Sequence, residues 1–148
     1  MPAPTQAQIR QAGSLLARAT SRLDGAAAAA TRSDPSAGEF DNSFDGTVTA
    51  IFHVVDAFEL LAYGRKREMR EAEQPTRIRS VVLALEQDRI ANVPLALRLV
   101  DLNRRRNTSV HGEWSEVLDT DSLLGAIDAG RALVLAVRSW AVAHGLEV

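Results

Sequence analysis

Val48-Thr49-Ala50-Ile51-Phe52-His53-Val54-Val55-Asp56-Ala57-Phe58-Glu59-Leu60-Leu61-Ala62 is the stretch on which the fold turns. Val48, Ile51, Phe52, Val55, Phe58 and Ala62 recur at three- and four-residue steps, so on a helix they share one face. A half-buried strand would need apolar and polar residues to alternate, and no segment of the chain does so. The stretch therefore predicts an amphipathic helix that starts near Ser43, with Gly64 as one place for it to end.

Upstream, Ser33 to Asn42 contains Pro35, Gly38 and several small polar residues and reads as a loop. Before it, Thr5-Gln6-Ala7-Gln8 has the form of a capping box, in which Thr5 and Gln8 satisfy each other's orphan backbone amides. Ile9, Leu16 and Leu23 follow at seven-residue intervals with Ala12 and Ala19 beside them. This predicts a first helix over about 5–32 with a small-residue inner face. Downstream, Pro75-Thr76 opens a third helix carrying Ile78, Val81, Val82 and Leu85, and Asn92 and Pro94 mark a fourth. The last helix begins around Asp119 to Ser122 and keeps Leu123, Ile127, Val134, Val137 and Ala141 on one face, with Trp140 adjacent. Short connections favour antiparallel neighbours, so the expected architecture is an all-α, four- to five-helix up-and-down bundle. One domain is expected over 1–148, with a core bundle over about 43–145; there is no internal repeat.

The 148 residues are enough to bury about 70% of the unfolded surface. With 46% hydrophobic and 24% charged residues, the composition is that of a globular protein. Cysteine is absent, which excludes disulfides, thiolate catalysis and sulfur-ligated zinc. There is no glycine-rich phosphate loop, no H-E-x-x-H and no histidine–carboxylate set at metal-ligand spacing, so no metal or cofactor is expected. No apolar run approaches the roughly 20 residues of a membrane span. Met1-Pro2-Ala3-Pro4 lacks the features of a secretory signal, so a cytoplasmic location is expected. The net charge of −2 does not by itself mark a nucleic-acid binder. The cations are clustered, however: Arg65, Lys66, Arg67 and Arg70, then Arg77 and Arg79, then Arg104 to Arg106. The first cluster reads as a solvated helix face. Lys66 is the only lysine, a bias typical of GC-rich genomes.

Chemistry concentrates at the end of the fourth helix. At about 100° per residue, Leu99 and Leu102 lie within roughly 40° of Leu95, and Arg106 falls about 20° from Leu95. Arg104 points to the opposite side, and Arg105 lies about 80° off. Arg106 is thus the arginine aimed at the bundle, where it needs a carboxylate, a backbone acceptor or a phosphate. Thr108, Ser109 and Val110 are poor helix formers and Gly112 suits a left-handed cap. A break there would let His111 swing toward Arg106, within the chain or across a dimer. A fixed arginine beside a histidine that titrates near neutrality can hold a phosphodiester and move protons at it.

Arg106-Asn107-Thr108-Ser109-Val110-His111 resembles the R-x4-H motif of the HEPN superfamily, helical bundles of toxin–antitoxin, abortive-infection and RNA-processing systems. The match includes the polar Asn107, the His111-Gly112 ending and the position before the final long helix. The resemblance implies metal-independent RNA cleavage, in which the ribose 2′-hydroxyl attacks the adjacent phosphorus. His111 would act as general acid or base, Arg106 would stabilise phosphoryl charge, and Asn107 would orient one or the other. It also implies a homodimer with two motifs lining one cleft, and an antitoxin protein as a further partner. The alternative it allows is a non-catalytic HEPN-type module that binds nucleotide, RNA or a partner protein. Glu113 stands where one toxin subgroup has a tyrosine modified by its antitoxin, so that route is not expected here.

Around the motif, Arg104 and Arg105 are solvated or contact RNA phosphates. Asp56 and Glu59 lie on the second helix, which should neighbour the motif helix; one of them would support Arg106, or both are surface carboxylates. His53, beside Phe52, reads as a partly buried structural histidine. Trp114 either seals the bundle end or stacks on a base.

Overall fold

A computed structural model of the chain describes residues 3–31, 37–64, 74–85, 93–108 and 119–148. Among the described residues all regular structure is helical: α1 (Gln6–Ala30), α2 (Ala37–Tyr63), α3 (Gln74–Ala84), α4 (Val93–Thr108) and α5 (Thr120–Ala143). The all-α expectation holds, with five helices.

The first helix starts as its capping box predicts. The Gln8 amide N–H donates to Thr5 Oγ1 at 3.2 Å, and the Thr5 N–H donates to Gln8 Oε1 at 2.7 Å. Gln8 does more than cap. Its Nε2 donates to the Gly64 carbonyl at 2.5 Å, tying the start of α1 to the end of α2. Gly64 itself stops α2, since its φ of 72° is left-handed and its N–H bonds the Leu60 carbonyl at 3.1 Å. At the other end of the pair the backbone at Gly46 lies against the Arg22 carbonyl and Ala26. These two contacts make α1 and α2 antiparallel along their length. Both helices bury many small residues, Ala12, Ala19, Ala26 and Ala30 on α1 and Ser43, Ala50 and Ala57 on α2, and Gly46 meets Ala26 where the two face each other. Small side chains let the two backbones approach, and α1–α2 is the most extensive contact in the protein.

The last helix covers this pair. Gly130 sits against Leu23, Arg131 bonds Asp24 at 3.1 Å, and Val148, beyond the end of α5, comes close to Gly13, so α5 runs antiparallel to α1. Phe58 meets Trp140 edge-on with centroids 5.1 Å apart, near the ends of both helices, so α2 and α5 run the same way. The end of α5 is a Schellman motif. Gly145 takes a φ of 72°, its N–H bonds the Val142 carbonyl at 3.0 Å, and the Leu146 N–H bonds the Ala141 carbonyl at 2.9 Å. The shorter α3 and α4 pack on each other and on α2, and α4 also packs on α5. Ile78, Val81, Val82 and Leu85 are the buried residues expected of the third helix.

Three details differ from the sequence reading. Residues Ala37 to Asn42, expected in a loop, belong to α2. Phe44 is fully buried just beyond them, and burial of the following turns outweighs the weak helix preference of small polar residues. Among the described side chains of α4 the fully buried ones are Ala96, Leu99 and Val100, with Leu97 and Leu102 half-buried, so its inner face reaches beyond the leucine stripe that aimed Arg106 inward. Finally, Asp41–Tyr63 is long and apolar enough to cross a membrane by length and composition. Much of that stretch, 61%, is buried inside the protein, where it serves as the core helix of the bundle.

The same substitution should have opposite effects at two glycines. A methyl at Gly46 would meet its nearest neighbours at an ordinary 3.8 Å, whereas at Gly130 it would lie 2.9 Å from Leu23 Cδ2. Leu23 has no exposed surface and belongs to the main core cluster, so its methyls must shift within packed surroundings. Gly46→Ala should stabilise by about 0.5–1 kcal/mol through helix propensity. Gly130→Ala should lose that gain to overpacking and destabilise by about 1 kcal/mol. Denaturant midpoints moving in the same direction would refute the packing account. Gln8 offers a second check. Gln8→Glu preserves the capping box in local terms, yet a carboxylate cannot donate to Gly64. A loss of about 1 kcal/mol is expected, whereas a purely local view predicts none.

Candidate functional site

The helical run of α4 carries Arg104, Arg105, Arg106 and Asn107 in its last two turns and continues to Thr108. Their side chains lie outside the described residues, as do His111, Glu113 and Trp114. The chain re-enters the description at Asp119, the N-cap of α5, whose Oδ1 accepts the Ser122 N–H at 2.7 Å. Bonds from the Ser122 amide and hydroxyl, with a smaller contribution from the charge of Arg98, hold the Asp119 carboxyl below its usual range. The motif therefore runs from the C-terminal end of one core helix toward the capped N-terminus of the last one. The fourth helix contacts α2, as expected of the helix bearing Asp56 and Glu59.

Those two carboxylates are not surface groups. Glu59 has no exposed surface, and the Asp56 side chain is 19% exposed. Both are engaged by Arg77, from the first turns of α3. Arg77 Nε donates to Glu59 Oε1, and its Nη2 donates to Asp56 Oδ1. The spacing explains the geometry. Asp56 and Glu59 are three residues apart and so share a helix face, and a planar guanidinium can reach both at once. Burial works against the charge on Arg77. The hydrogen bonds from Asp56 and Glu59, together with their charge, outweigh it and raise the pKa above the ordinary arginine value. Because the raised group is a cation, its stabilisation is fully present below the unfolded pKa and is lost only in strongly alkaline solution.

Sequence reasoning placed Asp56 and Glu59 beside the motif helix but missed Arg77, which it grouped with Arg79 as one more basic pair. Arg79 is exposed, as that grouping implies; Arg77 is buried. The signal was there in phase: Arg77 immediately precedes Ile78 and lies four residues before Val81, at the edge of the apolar face.

Phe58, Tyr63, Trp140 and His144 form a separate group at the far end of α5. The Trp140 ring stacks on His144 with centroids 4.0 Å apart, and Phe58 also meets Tyr63 edge-on. His144 Nδ1 lies 2.8 Å from the Trp140 carbonyl, which can only accept, so that nitrogen carries the proton. This group seals the helix end. His53 is half-buried on α2, as a structural histidine should be.

No family model matches the chain, and neither a curated protein nor a solved structure matches it.

Removing the guanidinium should be costly. Arg77→Met takes away the cation that faces a fully buried carboxylate, and a loss of about 3–5 kcal/mol is expected. Arg79→Met, one helical step away and exposed, should change stability by less than about 0.5 kcal/mol. Equal losses at the two positions in urea melts would show that the ion cluster contributes nothing particular.

Proposed function

We propose that this chain is a HEPN-like, metal-independent endoribonuclease of a toxin or defence system, acting as a homodimer. The observation that carries the reading is the position of Arg106-Asn107, at the C-terminal end of α4 in an all-helical chain, with His111 four residues further and the long α5 next. The family's motif occupies this place. In the reaction the 2′-hydroxyl of a ribose attacks the neighbouring phosphorus, and the 5′-oxygen of the next nucleotide departs. His111 takes the 2′ proton or supplies a proton to the departing oxygen. Arg106 compensates the charge that grows on the phosphoryl oxygens, so the step calls for no Lewis acid beyond the guanidinium. Asn107 orients these groups, and Arg104 and Arg105 hold the RNA backbone through salt-sensitive contacts. A second copy of the chain brings a second motif to the same cleft. An antitoxin protein restrains the enzyme.

Purified protein incubated with transfer RNA in EDTA should produce fragments ending in 2′,3′-cyclic phosphate and 5′-hydroxyl. His111→Ala should lower the rate by about 10²–10⁴-fold. Arg106→Ala should lower it by about 10²–10³-fold. Intact RNA after prolonged incubation with folded wild-type protein would sink the nuclease reading. Retained binding of RNA or nucleotide in that case would identify a non-catalytic module instead.

A further inference from the structure

Two carboxylates and a guanidinium buried together pose a question that stability does not answer. An apolar cluster of the same volume would hold α3 on α2 about as well, because desolvation of the charges offsets most of their attraction. What an apolar contact lacks is direction. Among the described residues the buried apolar groups of α3 and its end, Ile78, Val81, Val82 and Leu85, all follow Arg77 in sequence, and nonpolar contacts of this kind tolerate rotation and sliding. The fork of Arg77 does not. It bridges Asp56 and Glu59 on successive turns of α2, which fixes both the rotation and the register of α3. An 11-residue helix has little stability of its own, so its placement is set by what it touches. It touches α2 on one side and α4 on the other.

We propose that Arg77, with Asp56 and Glu59, is a positioning cluster that locks α3 against α2 and thereby holds the C-terminal half of α4 in place. Arg77 does not touch substrate. It acts through α3 on the helix that ends in Arg106 and Asn107. The consequence for RNA cleavage rests on the nuclease reading above, but the mechanical consequence for α4 does not.

The test replaces direction while retaining burial. In the triple variant Asp56→Asn, Glu59→Leu, Arg77→Met, the thermal midpoint should be no lower than that of the wild type. Amide hydrogen exchange of residues 99–108 should accelerate by about tenfold or more, while residues 15–23 of α1 exchange as before. The cleavage kcat should fall by about tenfold or more with KM within about twofold, the signature of misplaced groups rather than lost binding. Arg77→Lys retains a charge but cannot fork, and should give an intermediate acceleration in α4. It carries the test alone if the triple variant does not fold. Unchanged exchange in α4 for a folded triple variant, or for Arg77→Lys, overturns the proposal. A wild type that does not cleave RNA removes only the kinetic arm and overturns the nuclease reading instead; exchange in α4 still decides this one.

Discussion

The close antiparallel seam between α1 and α2 is the constraint on which the other helices depend. It forms because alanine, serine and glycine recur where the two helices face each other, so the backbones meet without large side chains between them. Such a seam gains little from any single residue, since alanine buries little apolar area. Its strength comes from length, and its register from the ends. Gln8 pins one end to Gly64, where the left-handed glycine turns its carbonyl toward α1. The buried residues of α5, Leu123, Ile127, Leu133 and Val137 among them, belong to the core it shares with this pair and with α4.

The second half of the molecule is built on a different principle. The helices α3 and α4 are shorter and make fewer contacts with the rest, so they rely on specific anchors rather than on extended packing. Arg77 is the clearest of these. A buried cation between a buried and a half-buried carboxylate is an inefficient way to gain stability and an effective way to exclude alternative registers, because other registers strand charge in a low-dielectric interior. The division matters for function. The part of the chain that carries Arg106 and Asn107 is also the part whose position depends on polar geometry.

Much of this could be read from residues alone, for definite physical reasons. Periodicity exposed all five helices because each buries one face against a common core, and the Thr5–Gln8 box was legible because both partners lie within four residues. The early start of α2 was not, since Gly38 and its small polar neighbours favour a loop in isolation and only the burial of Phe44 argues otherwise. The apolar face of α4 was drawn too narrowly because leucines were weighted above Ala96 and Val100. Neither the Gln8–Gly64 bond nor the Arg77 cluster was legible, because each joins residues far apart in sequence. The candidate site was visible only as a motif. Its chemistry rests on residue types and order, and an arginine looks the same in sequence whether it serves a fold or a phosphate.

That last ambiguity can be narrowed by comparing the two arginines that sequence reasoning treated differently. Arg77 was counted only as one of a basic pair with Arg79 and proves to be buried and doubly paired with carboxylates, so it is unavailable to a phosphodiester. An anion entering that cluster would have to displace carboxylates already desolvated and hydrogen-bonded. A phosphate-binding role therefore falls to cations elsewhere, and the run Arg104 to Arg106 lies at a helix C-terminus, where the backbone carbonyls repel an anion. Such a place does not attract phosphate by itself. The C-terminal dipole amounts to about half a negative charge, so three consecutive arginines leave that end of α4 with a net positive charge. On the nuclease reading one of them serves the reacting phosphate while the others meet its neighbours along the RNA.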